Sequence, residues 1–270
     1  MTSPTIPDVD QAAHGIDTYI DETALLLGAG SAVMYQLALV GVGRGVAEHS
    51  NTLERPLDRL RTTLTYVYGI LLGTEEERKA IARMVNRAHV PVKGEGYTAF
   101  DPQLQLWVAA TLTYTGEQMY EKTFGPMDPA SRERAYRESW VMGTALQVTD
   151  EMWPQTRAEF DVYWDHMQGE LTADPKVQAY VRKLLTPSWR FWYLAPSVML
   201  QSLVTRGNLT PEARGVLGLS WSPGDQRRYD AFWWIFRRAY RLVPKPLRTL
   251  YPRLVLRGFR KRMKQGRRVI

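Results

Sequence analysis

The 270-residue chain contains no cysteine. Disulfides, zinc–thiolate sites, iron–sulfur clusters, cysteine nucleophiles and thiolate-ligated haem are therefore excluded. Histidine is scarce, with His14, His49, His89 and His166 making up the whole complement. The HExxH signature is missing. The residues three positions before the histidines are Gln11, Val46, Asn86 and Tyr163, so the Glu-x-x-His of di-iron bundles is missing too. There is no GxxxxGK[ST] phosphate loop and no GxSxG nucleophile elbow. Gly28-Ala29-Gly30 and Gly41-Val42-Gly43-Arg44-Gly45 do not follow a strand-like segment, so a dinucleotide site fails its structural condition. Period-two alternation and Asn-Gly or Asp-Gly turn pairs are absent, and β structure is not expected. No stretch reaches the roughly 20 apolar residues of a membrane helix. The longest candidate, Ala32 to Val42, contains Gln36. The first ten residues carry Asp8 and Asp10 and lack both a basic and a long apolar region, so a signal peptide is not expected. The location expected is cytoplasmic, with peripheral attachment at the inner membrane face.

What is present points to helices. Apolar residues make up 44% and charged residues 23% of the chain, enough for one large core. Asp101-Pro102, Asp128-Pro129, Asp174-Pro175, Thr210-Pro211 and Ser222-Pro223 each set a capping side chain before a proline, which is tolerated in the first helical turn. Thr74-Glu75-Glu76-Glu77 reads as a capping box. Leu57, Leu60, Leu64, Val67 and Leu71 recur at helical spacing, as do Leu104, Trp107, Val108, Thr111, Leu112 and Thr115. The pattern predicts helices at roughly 15–27, 31–42, 55–72, 75–88, 102–122, 129–147, 155–170, 175–185, 190–206, 211–219 and 223–242, then a basic tail helix. Residues 229–243 carry Phe232, Trp233, Trp234, Ile235, Phe236 and Tyr240, and deep packing is expected there. The fold class expected is all-α, with one globular domain over 15–243 and a basic amphipathic tail over 244–270.

Charge is unevenly spread. Between Arg227 and Ile270 there are 15 Lys and Arg against one acid, Asp230, so this segment carries +14 and the preceding residues −7. Leu247, Leu250, Tyr251, Leu254, Val255 and Phe259 can form an apolar stripe flanked by Arg248, Arg253, Arg257, Arg260, Lys261 and Arg262. A basic amphipathic helix suits an anionic membrane surface, here over Arg248 to Arg268. The alternatives are nucleic-acid contact and packing against the acidic body. No nucleic-acid motif is present, and no nucleic-acid partner is expected.

With so few histidines, a metal would be held by one imidazole, which suits haem in an apolar slot. His89 closes the predicted fourth helix, and Val90-Pro91 then takes the chain out of helical geometry. It reads either as an iron ligand or as a helix-terminal histidine facing the dipole. Arg59 and Thr63 lie one turn apart on a face that the spacing sets away from the Leu60, Leu64, Val67, Leu71 stripe. They can hold a propionate or a bound oxygen species, or be a solvated arginine and a threonine bonded to the backbone. Glu48 and His49 precede Ser50 and read either as an acid–base group near a pocket or as a surface helix end. His14 and His166 are read as structural.

In order along the chain, these segments resemble the catalytic domain of the MpaB and rubber-oxygenase (latex clearing protein) family. Val42-Gly43-Arg44-Gly45-Val46-Ala47-Glu48-His49-Ser50 is similar to its first block, and Arg59-Leu60-Arg61-Thr62-Thr63 to its Arg-x-x-x-Thr helix. Tyr68-Gly69 and Gly73 follow, then His89-Val90-Pro91-Val92-Lys93-Gly94, Tyr97-Thr98-Ala99-Phe100-Asp101-Pro102, Leu106-Trp107-Val108 and Gly218-Leu219-Ser220-Trp221-Ser222. The resemblance spans about residues 30–222. It implies a helical protein that binds haem b and uses dioxygen to cleave double bonds of apolar isoprenoid chains. It implies that His89 is the proximal iron ligand, that Arg59 and Thr63 lie on the distal or propionate side, and that Glu48 matches the acid–base carboxylate. Thr62 stands where rubber oxygenases carry a lysine that can reach iron. Ala109 stands where bacterial members carry a histidine after Trp-Val.

The expected function is thus a haem b-dependent oxygenase acting on an apolar, isoprenoid or lipid substrate, with apolar walls supplied by the Trp107 and Trp233 helices. Two other readings stay open: a helical scaffold docked on membranes through its basic C-terminus, and a haem protein with a peroxidase-like or storage role.

Overall fold

In the computed structural model, which describes residues 15–186 and 195–266, the helix starts follow the cap–proline pairs. After two short 3-10 turns, Ile16–Thr18 and Thr23–Gly28, come α1 (Ala29–Ala38), α2 (Val40–His49), α3 (Pro56–Leu72) and α4 (Glu75–His89). A hairpin of β1 (Lys93–Gly94) and β2 (Tyr97–Thr98) leads into α5 (Pro102–Phe124), α6 (Pro129–Ser139), α7 (Val141–Thr144), α8 (Arg157–Glu170) and α9 (Pro175–Leu185). Then follow α10 (Ala195–Asn208), α11 (Pro211–Val216), α12 (Pro223–Leu242), α13 (Lys245–Arg248) and α14 (Leu250–Lys264). Asp101 accepts from the Gln103 amide (2.8 Å), Asp128 from Ser131 (2.9 Å) and Asp174 from Lys176 (2.9 Å), each satisfying an orphan donor of a first turn. The capping box at Thr74 and Glu77 forms as its spacing predicts. The fold is all-α apart from the two-residue strands.

The long α5 runs through the centre. Trp107 is fully buried and its Nε1 donates to the Tyr35 carbonyl (3.0 Å). Trp164 stacks on Tyr114, with ring centroids 3.7 Å apart and planes 11° from parallel, and on Trp107 at 5.2 Å. This aromatic stack ties α8 to α1 and α5 and carries much of the core's apolar burial.

Four expectations are corrected. The helix expected at 15–27 is a pair of 3-10 turns, because tertiary partners take its backbone donors: the Ile16 amide donates to Glu138 (2.6 Å) and the Ala24 amide to the Tyr240 hydroxyl (3.1 Å). The helix expected at 31–42 ends at Ala38, where Leu39 is extended and the chain bends by 108° into α2. Gly43 permits this bend, since a Cβ there would strike the Leu37 carbonyl oxygen. The helix expected at 129–147 breaks at Trp140, beside Ser139, whose hydroxyl donates back to the Tyr136 carbonyl (2.6 Å). The β1–β2 hairpin, not expected at all, turns on Gly96 at φ +77° and carries Tyr97 inward.

The basic C-terminal segment lies against the body. α14 packs on α3 through Pro252, Leu256 and Phe259, which are buried. Arg260 pairs with Glu77 (2.7 Å), Arg248 with Glu22 (3.4 Å) and Arg253 with Asp21 (3.7 Å), so part of the acidic body neutralises part of the tail. The expected apolar stripe is rotated: Leu247, Leu250, Tyr251 and Leu254 face outward instead. On α12, likewise, Tyr229 and Trp233 are buried while Trp234 and Ile235 are about 60% exposed, so the deep packing expected there holds on one side only.

Phe259 is 1% exposed within the core cluster. Phe259→Ala is therefore expected to lower unfolding stability by about 3 kcal/mol, read from the midpoint of a denaturant titration. An unchanged midpoint would mean that α14 is not part of the core.

Candidate functional site

One face of α3 does not pack solid. Pro56, Arg59, Leu60, Thr63, Leu64, Val67, Tyr68 and Leu71 follow one helical stripe and border a cavity of about 520 Å³. The volume falls within the ~300–1,000 Å³ of small-molecule sites. The opposite walls are Val33 and Leu37 of α1, Leu112 and Gly116 of α5, Ala135 and Tyr136 of α6, Tyr180 and Leu184 of α9, and Val198 of α10. The sequence spacing set Arg59 and Thr63 away from the leucine stripe; the structure corrects this, because the cavity is wide enough to take both rows. Of the two helices expected to supply apolar walls, that of Trp107, α5, does so through Leu112 and Gly116, and that of Trp233, α12, does not border the cavity. Trp107 is sealed in the core and Trp233 packs with Tyr229 and Val204.

Arg59 keeps accessible surface, yet the surrounding protein desolvates it and holds its guanidinium below the ordinary arginine pKa, as a place on a concave wall requires. No acid pairs with it among the described residues. The Thr63 hydroxyl donates to the Arg59 carbonyl (3.1 Å), so its proton is committed and its lone pairs are free. Tyr180 stands close enough to Arg59 to act on its charge.

His89 is the last residue of α4 and is half-buried. Its Nδ1 is buried with no hydrogen-bond partner among the described residues, and Phe100 meets the ring edge-on at 6.2 Å. Desolvation first, and the Arg59 charge second, push its pKa below the ordinary value. The imidazole is thus kept neutral, the form that ligates a metal. The ring is not on the cavity wall itself, but it lies within reach of the Arg59 charge. Among the described residues no group of three or more His, Asp or Glu is placed to share a metal.

Glu48 lies elsewhere. It accepts from the Tyr97 hydroxyl (2.7 Å) and from Lys176 (3.4 Å) on the outer side of α2, and these bonds, Tyr97 first, hold its pKa below the usual carboxylate range. Neither Glu48 nor His89 lines the cavity, so of the expected site residues the structure brings only Arg59 and Thr63 together on its wall. His49 and His166 are exposed, and His14 lies outside the described residues. Thr62 is not on the cavity wall, and Ala109 is buried in the core.

Two features escaped the sequence reading. Glu117, 7% exposed in the middle of α5, binds Arg157 (2.8 and 3.1 Å) and Arg132 and borders the cavity. A charged residue inside a buried helical stripe was the available signal. Tyr180 gave no signal, because it reads as one more core position of an amphipathic helix.

The sequence profile described as ER-bound oxygenase mpaB/B'/Rubber oxygenase, catalytic domain, matches residues 17–241. The chain belongs to this family. The MpaB/rubber-oxygenase match takes in every cavity helix from α1 to α10, with α13 and α14 beyond it. Two mycobacterial proteins are also similar: Uncharacterized protein Mb2261 of Mycobacterium bovis and Uncharacterized protein Rv2237 of Mycobacterium tuberculosis. Each is 36% identical over 256 residues, covering 91% of this chain and all of its own length. No solved structure matches.

With four histidines in the chain, a proton NMR titration of the protein separates their rings. His89 is expected to titrate below the ordinary ~6.5, and Arg59→Leu to raise it. Because the unfolded chain takes up a proton there that the folded chain does not, His89's contribution to stability is lost as pH falls below about 6.5. A His89 titration at or above that value in the parent contradicts the arrangement.

Proposed function

We propose that this MpaB/rubber-oxygenase family member is a haem b-dependent enzyme, with His89 as the iron ligand, acting with dioxygen on an apolar isoprenoid or lipid substrate held in the α3 cavity. The observation that carries the reading is the His89 ring: neutral, desolvated, with an unpartnered buried Nδ1, and within reach of the charge of Arg59, which borders an apolar cavity. A donor set of one imidazole beside a cation and apolar walls fits a haem with anionic propionates. When bound, haem supplies the one-electron and dioxygen chemistry that protein side chains lack.

The chain's own residues have definable parts. Leu60, Leu64, Val67 and Leu37 exclude water and hold an apolar chain by burial, worth about 25 cal/mol per Å² of apolar surface. Arg59 offers charged N–H donors to a carboxylate or a polar oxygen. Thr63, its proton engaged by the backbone, offers only lone pairs. Glu48, bonded to Tyr97 and Lys176 outside the cavity, has no part in this reading.

The test is an absorption spectrum of the protein expressed with a haem supply, beside His89→Ala. A Soret band in the parent that collapses or shifts in the variant is expected. A colourless parent that takes up no haemin overturns the assignment. Loss of an apolar alkene under dioxygen then distinguishes turnover from a storage role.

A second observation bears on where the protein works. Trp234, Ile235 and Leu242 of α12 and Leu247, Leu250 and Leu254 of α13–α14 are all exposed, between Arg237, Arg238, Arg241, Lys245 and Arg257. Apolar side chains set among uncompensated cations suit the interface of an anionic bilayer, where each Lys or Arg contributes about 1 kcal/mol. Among the described residues no single helix is long and apolar enough to cross a membrane. Sedimentation with phosphatidylserine-containing vesicles, weakened by salt and by Leu247→Asp/Leu254→Asp, is expected. Equal binding of the parent to neutral and anionic vesicles, or none to either, overturns the docking.

A further inference from the structure

We propose that the Glu117–Arg132 ion pair is the wall between the α3 cavity and a second pocket, and that it limits the length of apolar chain the cavity accepts. The inference rests on the reading of the cavity as the ligand site, and not on His89 binding iron.

The second pocket, of about 540 Å³, lies between α5, α6, α8 and α11, and Tyr114, Gln118, Glu121, Asp161, Asp165 and Glu212 contribute to its walls. Carboxylates make up much of that lining, whereas the α3 cavity is mostly aliphatic. Among the described residues the two spaces share just two, Glu117 and Arg132. Helical spacing explains why. On α5, Thr113, Gly116 and Glu117 border the cavity, while Tyr114, Glu117, Gln118 and Glu121 border the pocket, so Glu117 stands on the edge between two rows. On α6, Arg132 starts the row that Ala135, Tyr136 and Ser139 continue along the cavity. The two side chains meet at this edge as an ion pair. Arg157 grips the same carboxylate through Nε (2.8 Å) and Nη2 (3.1 Å) and also binds Asp161 (2.5 Å), which fixes the wall from the pocket side. An apolar chain that extends along the cavity to this edge meets the pair. Parting a largely buried ion pair costs several times what burying one more methylene gains, so the chain stops there.

The experiment measures displacement of the apolar dye Nile red from the full-length protein by straight-chain primary alcohols from hexanol to tetradecanol. Affinity is expected to rise roughly four-fold with each added methylene and then to level off at the length the wall permits. Arg132→Ala is the variant of choice, because Glu117 keeps Arg157 as its partner and no buried charge is left alone. It is expected to leave the short alcohols unchanged and to move the levelling-off to longer chains, so that the longest bind roughly ten-fold more tightly than to the parent. Arg132→Lys, which keeps the charge and most of the length, is expected to keep the parent's limit. Circular dichroism and the unfolding midpoint of each variant check that it folds.

A limit that moves to longer chains in Arg132→Ala and stays in place in Arg132→Lys supports the wall. A limit unchanged in a folded Arg132→Ala, or no levelling-off in the parent, overturns it. So does a loss of affinity that is equal at every chain length, which is what loosened packing alone produces. No displacement by any alcohol removes the cavity as the ligand site and the wall with it. A protein that takes up haem through His89 but whose limit ignores Arg132 keeps the proposed function and loses the wall, so the two failures are distinguishable.

Discussion

A helix that borders empty volume on one face must be held by packing on the others, and α3 is that helix. Its cavity face gives up the close contacts that a core helix normally makes. The compensation comes from behind. Ile81 of α4 lies against Gly69 so closely that a side chain at Gly69 would strike it. Leu256 and Phe259 of α14 are buried in the same core, and Arg78 donates to the Ile70 carbonyl (2.7 Å) at the end of α3. The cavity exists because α4 and α14 fix α3 in place without needing its front. Arg59 sits on that front, where its charge acts on His89 and where Tyr180 acts on it. The electrostatics of the whole site thus hang on one helix being held rigid from one side.

The fold was legible where local chemistry decides it. Capping residues followed by proline predicted the starts of α5, α6, α9, α11 and α12, because an orphan amide and a missing N–H are satisfied within one turn. The reading failed where distant groups intervene. Leu39 is extended because glycines let α2 cross close to α1, and the turns near Ile16 and Thr23 bind Glu138 and Tyr240 from far along the chain. Neither partner is visible in a local window. Residues 229–243 read as buried all round because aromatic content says nothing about which side meets the core.

The site was legible in part, and through different reasoning for each residue. Arg59 and Thr63 fell on the cavity because their spacing is helical, although the stripe was drawn one row too narrow. His89 stood out because the chain has so few histidines. Glu48 read either as an acid–base group or as a surface helix end, and motif likeness favoured the first; the structure sets it on the outer side of α2 with Tyr97 and Lys176. Tyr180 was illegible, since an amphipathic helix does not reveal which of its inward residues meets atoms and which meets space.

Glu77 does two jobs with one carboxylate. It caps α4 by accepting from the Thr74 amide (3.0 Å), and it grips Arg260 of α14, 183 residues further along the chain. Contacts of such sequence separation form late, after the intervening loop has closed. A ribosome-bound chain can therefore assemble α1 to α12 and still lack the brace behind α3 until α14 emerges. The pocket comes into register only once α14 has emerged and docked, so any bulky ligand is taken up after that helix is in place.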